Sequence, residues 1–443
     1  MVKIRQKNIL WFFISLTIYS LWVIWLEVYW LFPGGIIIFD LFFTRKIKWA
    51  FWRVRKKNGE GLTFWSEWVD ALIFALVAAI IIRTFFIEAF MIPTSSMEKS
   101  LLAGDYLFVS KISYGPKMPN TPLSIPFMHH TIPGTNVKSY IDWINIPYRR
   151  LEGLGKPKRY DAFVFNFPTG DTIILEYPEK NYYSMARQYS REYLHDKFTI
   201  LYRPVDKREN YIKRCIGMPG DTLEIRDGIV YANNERLKTN KTVQYNYFVE
   251  TRDVEIPVEK WEELNVDINE VKYNGYNSVY EVPLTFHNIE ILAEMPGVSK
   301  IARYINKNAV LSGSDIFPHH EDYRWTEDIF GPVVIPAKND SVKITTANLP
   351  LYRRIIEIYE ENHLIELDGE IFVNGEQLTW YKFKYDYYFM LGDNRHNSFD
   401  SRYWGFVPEN HIVGKAVLVW LSLDNEKEGK DRIRWQNMFK LVR

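Results

Sequence analysis

The 443-residue sequence predicts a mainly β domain behind N-terminal transmembrane helices, with a mixed α/β insertion. Long uncharged apolar runs lie near the N-terminus, short β-type runs bounded by turn residues follow, and helical periodicity is concentrated in residues 233–384. Hydrophobic residues make up 47% of the chain, and the formal net charge is +1. A charge this small argues against a nucleic-acid partner.

The first apolar run extends from Ile9 to Leu26 without a charged residue and is long enough to span a bilayer. Apolar character resumes over residues 28–43, with a break at Pro33 and one charge at Asp40. A second span runs from about Ala71 to Ile82 and is extended to Phe90. Residues 9–43 therefore hold either one span or a hairpin of two, and these alternatives stay open.

The charges between the spans predict their orientation. Cytoplasmic segments are enriched in Lys and Arg, and such a cluster follows the first apolar segment: Arg45, Lys46, Lys48, Arg53, Arg55, Lys56 and Lys57. Everything after Phe90 is then expected outside the cytoplasm. Lys3, Arg5 and Lys7 also favour the cytoplasm. The first run is too long for a cleavable signal peptide, and no small-residue cleavage site follows it.

The part after Phe90 reads mostly as β structure. Strands are predicted at 106–112, 162–167 and 221–225, and Asp227-Gly228 is typical of a tight hairpin turn. Residues 115–134 are rich in proline and polar residues and predict an extended loop. Helices are predicted at 258–264, 289–295 and 349–361.

These patterns predict four regions. Residues 1–62 hold the N-terminal membrane segments and a basic cytoplasmic loop, and residues 63–90 hold the second transmembrane helix. Residues 91–232 and 385–443 form the β domain that carries the candidate site. Residues 233–384 form an inserted β-rich subdomain with helices.

Ser96 follows the second span closely, which places a hydroxyl at the membrane surface. A serine needs a base, and Lys213 lies in an apolar strand candidate, where alternation puts Tyr211, Lys213 and Cys215 on one face. Burial can lower a lysine pKa by several units from its ordinary ~10.4. A neutral amine can then accept the serine proton. The alternative is a lysine on an edge strand that faces water.

Other reactive side chains carry weaker signals. His129-His130 and the run His319 to Asp322 suggest metal ligands, but adjacent residues seldom bind one metal together and no spaced partner motif is present. We therefore expect no metal and no cofactor. His-based serine catalysis is equally disfavoured. Cys215 is the only cysteine, so no internal disulfide can form.

Four segments together resemble the type I signal peptidases, the Ser/Lys dyad family of bacterial leader peptidases. They occur in the same order as that family's boxes and lie at 81–97, 159–165, 211–221 and 392–405. The resemblance implies a signal-peptidase-like β fold and a membrane-bound serine endopeptidase that removes N-terminal signal peptides. It covers the anchor and the catalytic core, but not residues 233–384 or most of 116–205.

By this resemblance, Ser96 is the nucleophile and Lys213 the general base. The oxyanion hole uses the Ser96 N–H and the Thr94 hydroxyl, and the Ser398 hydroxyl orients the lysine. The supporting ion-pair network consists of Arg214, Asp393, Asp400 and Arg402. Lys99 and His396 depart from the residues common in the family, at positions that match no catalytic role.

The resemblance also implies cleavage after small side chains at the first and third positions before the cut. An extended substrate would pair with residues 88–93, where the candidate binding residues are Glu88, Phe90, Ile92 and Pro93. The expected partners are signal peptides of secreted preproteins and the lipid bilayer, with neither nucleic acid nor metal. The expected location is the bacterial cytoplasmic membrane, multi-pass, with the catalytic domain on the extracytoplasmic face.

Two other readings compete with this one. A catalytically silent membrane-anchored β domain could bind peptides or scaffold a complex, but it would be expected to have lost Ser96, Lys213 or Ser398. Self-cleaving Ser/Lys repressors share the chemistry, but they are soluble, and the membrane anchor argues against them. The preferred preproteins, the role of the insertion and the oligomeric state stay open.

Overall fold

A computed structural model describes residues 6–26, 29–54, 56, 61–252, 254–308, 315–424 and 427–442. The chain forms two compact units, residues 1–79 and residues 80–443. Four of the charges used above to orient the membrane segments, Lys3, Arg5, Arg55 and Lys57, lie outside the described residues.

The helices and strands have the following bounds. The helices are α1 Gln6–Leu26, α2 Gly35–Phe39, α3 Phe64–Phe85, α4 Tyr182–Tyr189, α5 Arg191–Lys197, α6 Val258–Glu263, α7 Phe286–Ala293, α8 Leu349–Arg354 and α9 Ser401–Trp404. The strands are β1 Ile87–Met91, β2 Asp105–Ser110, β3 Ala162–Asn166, β4 Thr172–Ile174, β5 Ile200–Tyr202, β6 Asn210–Gly217, β7 Thr222–Arg226, β8 Ile229–Ala232, β9 Glu235–Arg236, β10 Gln244–Thr251, β11 Lys272–Asn274, β12 Val279–Thr285, β13 Val298–Arg303, β14 Phe330–Val334, β15 Ser341–Lys343, β16 Leu364–Leu367, β17 Glu370–Val373, β18 Glu376–Gln377, β19 Trp380–Lys382, β20 Tyr387–Leu391, β21 Val407–Pro408, β22 Ile412–Ser422 and β23 Lys440–Leu441.

Two helical segments, Lys7–Ile24 and Phe64–Phe85, are long and apolar enough to cross a membrane, and they lie where the two runs were predicted. The predicted extension of the second helix to Phe90 is wrong, because the helix ends at Phe85 and residues Ile87–Met91 pair with a neighbouring strand as β1. A shorter apolar helical stretch covers Leu31–Thr44. It folds back on α1, because the Phe12 ring packs against the Phe43 ring at 4.8 Å. Asp40, the single charge of that stretch, accepts hydrogen bonds from the Lys46 N–H at 3.0 Å and Trp49 Nε1 at 2.9 Å.

The second unit is built on an eight-stranded antiparallel sheet. Its strand order is β1-β2-β22-β3-β6-β20-β21, with β23 beside β22. β1 therefore lies at one edge of the sheet, and β6 lies in its interior. The chain is mainly β, as the sequence predicts, and the predicted strands at 106–112, 162–167 and 221–225 are confirmed as β2, β3 and β7.

The local predictions hold elsewhere as well. Asp227 and Gly228 connect β7 to β8 with φ values of 48° and 75°, as a tight hairpin turn requires. The predicted helices appear as α6, α7 and α8, the last continued by one wider turn over Ile355–Tyr359. Helices α4 and α5 were not predicted. Each begins at a side-chain cap, Asn181 for α4 and Ser190 for α5.

The segment 233–384 packs in two ways. Strands β10–β13 form a separate four-stranded sheet whose core includes Val249, Trp261 and Leu292. In contrast, β14 pairs with β7, and Ile355 shares a hydrophobic core with Phe389 of β20. The division of domains at 233 and 384 stays a prediction, with part of the insertion packed directly on the strands that carry the candidate site.

Candidate active site

Ser96 lies in a short 3-10 turn, Ser95–Met97, that follows β1. The turn is held by buried apolar side chains on both sides, since Ile92 is 2% exposed and Met97 is fully buried. Thr94 precedes it in an extended conformation, and its side chain makes no helix-capping hydrogen bond. The sequence around Ser96 therefore fixes the serine at the end of an edge strand.

Lys213 lies on β6, between β3 and β20, and is 4% exposed. Its Nζ donates a hydrogen bond to Ser96 Oγ at 2.5 Å. The alternative of a solvated edge-strand lysine is therefore wrong. The structure brings together the serine and the lysine that the sequence singled out, although they are far apart in the chain.

Burial lowers the pKa of Lys213 to about 8. The carboxylates of Asp400 and Asp393 act against this shift, while the Arg402 guanidinium adds to it. A lysine in this environment is partly neutral near physiological pH and can accept a proton from the adjacent hydroxyl.

The Thr94 hydroxyl lies beside the same serine. Thr94 Oγ1 is 3.4 Å from Ser96 Oγ. Because the threonine side chain is not used as a helix cap, its O–H can turn toward a group that binds at Ser96. This geometry is compatible with the oxyanion role given to Thr94 above.

The loop at residues 392–402 closes over the back of Ser96. A Cβ on Gly392 would lie 2.1 Å from Ser398 Oγ and 2.6 Å from the Ser96 carbonyl oxygen, so no other residue fits there without displacing the site. The Asn394 N–H donates to the Ser96 carbonyl oxygen at 3.1 Å. Sequence reasoning assigned no role to Gly392 or Asn394, although both lie in the matched 392–405 segment.

Ser398 is 7% exposed and packs against Gly392. Its buried Oγ lies beside the Asp400 carboxylate and helps to lower the pKa of Asp400. The predicted hydrogen bond from Ser398 to the lysine is not formed here, and the orienting role stays a prediction.

The four predicted network residues form two buried ion pairs. Arg214 Nη2 lies 2.6 Å from Asp393 Oδ2, and Arg402 Nη2 lies 2.8 Å from Asp400 Oδ2. Burial opposes ionisation of Asp400, but the Arg402 guanidinium outweighs it and lowers the pKa of Asp400 below its ordinary value. Buried pairs of this kind hold a loop in one geometry, because removing one partner strands the other charge.

Each of the two ion pairs also accepts a hydrogen bond from the 392–402 loop or from a residue just after the Ser95–Met97 turn. Asp400 Oδ2 accepts a hydrogen bond from the Gly392 N–H at 3.0 Å. Asp393 Oδ2 accepts one from Ser100 Oγ at 2.5 Å, just beyond the turn that carries Ser96. Ser100 is a further supporting residue that the sequence did not reveal, because its partner lies far away in the chain.

The insertion contacts the same loop. His396 Nε2 lies 3.1 Å from both carboxylate oxygens of Asp328, while its Nδ1 accepts the Asn246 N–H at 3.0 Å. Lys99 Nζ donates to the Asn265 carbonyl oxygen. Both positions that depart from the family pattern therefore contact residues of the insertion.

The candidate substrate-binding residues lie on and after β1. Glu88 forms ion pairs with Arg83 at 2.6 Å and with Lys111 at 2.8 Å. Burial raises the pKa of Glu88, but these two cations outweigh it and bring the pKa below its ordinary value. Phe90 packs against a small core cluster, and Ile92 is buried, whereas Pro93 is exposed.

The hydrogen-bond pattern of β1 shows which main-chain groups are free. The Ile92 N–H donates to the Asp105 carbonyl oxygen at 2.9 Å. Because pairing alternates along an antiparallel strand, the main-chain groups of Ala89 and Met91 point to the opposite edge. Among the described residues no strand pairs with that edge.

The histidines considered as metal ligands have other partners. His129 Nε2 lies 2.8 Å from the Arg208 carbonyl oxygen, His130 pairs with Glu209 at 3.1 Å, and His320 lies 3.5 Å from Asp322. A search of the described residues finds no cluster of three or more His, Cys, Asp or Glu side chains able to hold a metal ion.

Comparison with known proteins gives a consistent assignment. The family model described as "Signal peptidase, peptidase S26" matches residues 65–277 and 335–421. A protein named Signal peptidase I from Buchnera aphidicola is 27% identical over 81% of this chain and 76% of its own length. Proteins of the same name from Helicobacter pylori and Haemophilus influenzae are 25% and 23% identical, over 86% and 85% of this chain and 92% and 76% of their own lengths.

The β-sheet brings a serine hydroxyl and a buried lysine amine within hydrogen-bond distance of each other. The matched residues cover more than half of the chain. The chain belongs to the signal peptidase family, peptidase S26, and is a signal-peptide-processing enzyme.

Proposed function

We propose that the chain removes N-terminal signal peptides from exported preproteins with Ser96 as nucleophile and Lys213 as general base. The observation that carries this proposal is the 2.5 Å contact between Lys213 Nζ and Ser96 Oγ, inside a site where both side chains are less than a tenth exposed. A nucleophile within hydrogen-bond reach of a desolvated base is the arrangement that acyl transfer requires.

In the proposed acylation step, neutral Lys213 accepts the proton of the Ser96 hydroxyl as Oγ attacks the scissile carbonyl carbon. The Ser96 N–H and the Thr94 hydroxyl would stabilise the resulting oxyanion. Lys213 Nζ then gives its proton to the leaving amine nitrogen, the C–N bond breaks, and an ester to Ser96 remains.

Deacylation repeats the same proton transfers with water. Lys213 accepts a proton from a water molecule, whose oxygen attacks the ester carbonyl, and returns the proton to Ser96 Oγ as the signal peptide leaves as a carboxylic acid, which then loses its proton to water. Ser398 is proposed to hold the lysine amine, and its hydroxyl is buried beside Gly392. The Arg214–Asp393 and Asp400–Arg402 pairs are proposed to hold the 392–402 loop and the Ser95–Met97 turn in fixed positions relative to each other.

The substrate is proposed to add a strand to the free edge of β1. The main-chain groups of Ala89 and Met91 face that edge, and β-strand addition is a common mode of peptide binding. Phe90, Ile92 and Pro93 would form shallow apolar walls that admit small side chains at the first and third positions before the cut. Glu88 would act by fixing β1 through its two cations.

The site is proposed to lie at the extracytoplasmic surface of the bacterial cytoplasmic membrane. β1 begins two residues after α3, an apolar helix of spanning length. The loop beside it exposes large apolar side chains, with Phe127 60% and Trp143 78% exposed, and the Arg83 guanidinium lies 5.9 Å from the Phe127 ring. Aromatic side chains of this kind favour the membrane–water interface.

The test is cleavage of a preprotein with an Ala-X-Ala site by the full chain in detergent or lipid. Wild-type protein is expected to release the mature protein, while Ser96→Ala and Lys213→Met release none above background. Cleavage that persists in both variants would exclude the proposed dyad, because neither the Ser96 hydroxyl nor the Lys213 amine would then be required.

A further inference from the structure

A cleft of about 1510 Å³ is lined by Tyr211, whose ring contacts Lys213, and no role described so far uses it. One wall is formed by residues 178–188, which include α4, and the other by residues around α8, including Pro350 and Glu357. Its floor includes the aromatic side chains of Phe167, Tyr211 and Phe399.

The floor is continuous with the catalytic residues. The Tyr211 ring lies 5.9 Å from Lys213 Nζ and stacks on the Phe167 ring at 4.4 Å. Phe399, which is next to Ser398 in the chain, lies 6.1 Å from the Phe167 ring. A substrate polypeptide that passes Lys213 on the Tyr211 side therefore enters the cleft.

The chemistry decides which half of the substrate takes this route. The proton on Lys213 must reach the amine nitrogen of the leaving segment, so that nitrogen must come next to Nζ. In the function proposed above, the half before the cut is held by β1, the strand that precedes Ser96. We propose that the cleft binds the first residues of the mature protein, the segment that leaves as a free amine; this rests on the function proposed above.

Side-chain contacts connect the two walls of the cleft and hold them in a fixed arrangement. The Arg354 guanidinium from α8 lies 4.3 Å from the Tyr183 ring of α4 and pairs with Asp171. Arg187 of α4 lies 3.4 Å from Asp315. These four charged side chains are paired within the protein, and the aromatic floor offers apolar surface to the side chains of an extended polypeptide.

A length series tests the proposal. Substrates share one signal sequence and carry a leaving group of either a single aminocoumarin or two, four or six mature residues. With wild-type protein, kcat/KM is expected to rise at least about tenfold along the series, equivalent to ~1.4 kcal/mol. Gln188→Trp, an exposed position that lines the cleft, is expected to flatten this rise and leave the aminocoumarin substrate unchanged.

Gln377→Trp is the matched control, because Gln377 is exposed on β18, away from the cleft lining. It is expected to behave as wild type throughout. A kcat/KM that does not depend on leaving-segment length, or an equal loss in both tryptophan variants, would overturn the cleft assignment.

Photo-crosslinking gives an answer that needs no catalysis. In the Ser96→Ala protein, benzoylphenylalanine at the third or fifth mature position is expected to crosslink to residues 178–188 or 350–358. The same probe at the third position before the cut is expected near β1. Mature-segment probes that label only the β1 side would overturn the proposal, whereas a cleavage-competent Ser96→Ala protein would overturn the dyad and leave this map readable.

Discussion

Two lysines in the same domain, the buried Lys213 and the half-buried Lys117, differ in what surrounds the amine. Burial lowers the pKa of both, to about 8 for Lys213 and to about 7 for Lys117. Lys117 Nζ donates to Asn166 Oδ1 at 2.9 Å and to the Asn410 carbonyl oxygen at 3.1 Å. Lys213 Nζ instead donates to a hydroxyl, that of Ser96.

The difference shows that a lowered pKa does not by itself identify a catalytic lysine. The two oxygen atoms that contact Lys117, Asn166 Oδ1 and the Asn410 carbonyl oxygen, only accept hydrogen bonds, so neither offers the lysine a proton. A hydroxyl can give up its proton and become a nucleophile. The partner of the amine, and not the size of the pKa shift, therefore separates a base from a structural lysine.

The largest expected effect tests this comparison directly. Lys213→Met is expected to lower kcat/KM for a preprotein by about 10⁴-fold or more, in the range seen when one member of a catalytic unit is removed. Lys117→Met is expected to stay within a few-fold of wild type in the same assay on purified, folded protein. Equal losses of kcat/KM in the two variants would contradict the assignment of Lys213 as the base and Lys117 as a structural lysine.

Thr94→Val is expected to have the next largest effect. Losing one oxyanion donor typically lowers kcat by about 10²–10³-fold, and valine keeps the shape of threonine without the hydroxyl. Thr94→Ser is the control, since it keeps the donor and should retain most of the activity. Single-turnover rates measure the step concerned, and a wild-type rate in Thr94→Val would remove the hydroxyl from the oxyanion hole.

Gly392→Ala tests the close contact of residue 392 with Ser398 and with the main chain of Ser96. The added Cβ would meet Ser398 Oγ and the Ser96 carbonyl oxygen, and a displacement of about 1 Å can cost on the order of 10²-fold in rate. Gly155→Ala, whose Cβ would lie 3.5 Å from its nearest neighbour, is the matched control. Steady-state kinetics and circular dichroism on both variants separate lost activity from lost folding.

The smallest expected effect is a lower midpoint in the pH profile of kcat/KM than a lysine in water would give. The base works in its neutral form, so kcat/KM is expected to rise with pH and level off above the pKa of Lys213, about 8. A lysine in water would place this midpoint near ~10.4. An acid limb that titrates near that higher value would mean that Lys213 is not desolvated in the working enzyme.

The sequence predicted those parts of the site that depend on short-range pattern. Ser96 and Lys213 stand out because each lies in a recognisable segment, and the alternation along β6 placed Lys213 on the face of Cys215. The fold class and the strands β2, β3 and β7 followed from the same kind of signal.

The parts that depend on contacts between distant segments were not predicted. The need for glycine at 392 arises because Ser398 and Ser96 approach the same point from different parts of the chain. Helices α4 and α5 span 8 and 7 residues, lengths at which local propensity is a weak guide. Which edge of β1 is free depends on its pairing with β2, which alternation in β1 alone does not reveal.

The unpaired edge of β1 also bears on how fast the enzyme can turn over. In the strand addition proposed above, the main-chain hydrogen bonds do not depend on the scissile bond, so the severed signal peptide would keep them after the ester is hydrolysed, and its apolar core would keep it in the bilayer. Two attachments then hold the first product at the site once the mature protein has diffused away. Under the proposed binding mode we therefore expect clearance of the spent peptide through the lipid to be slower than bond cleavage, and the spent peptide to act as a competitive inhibitor.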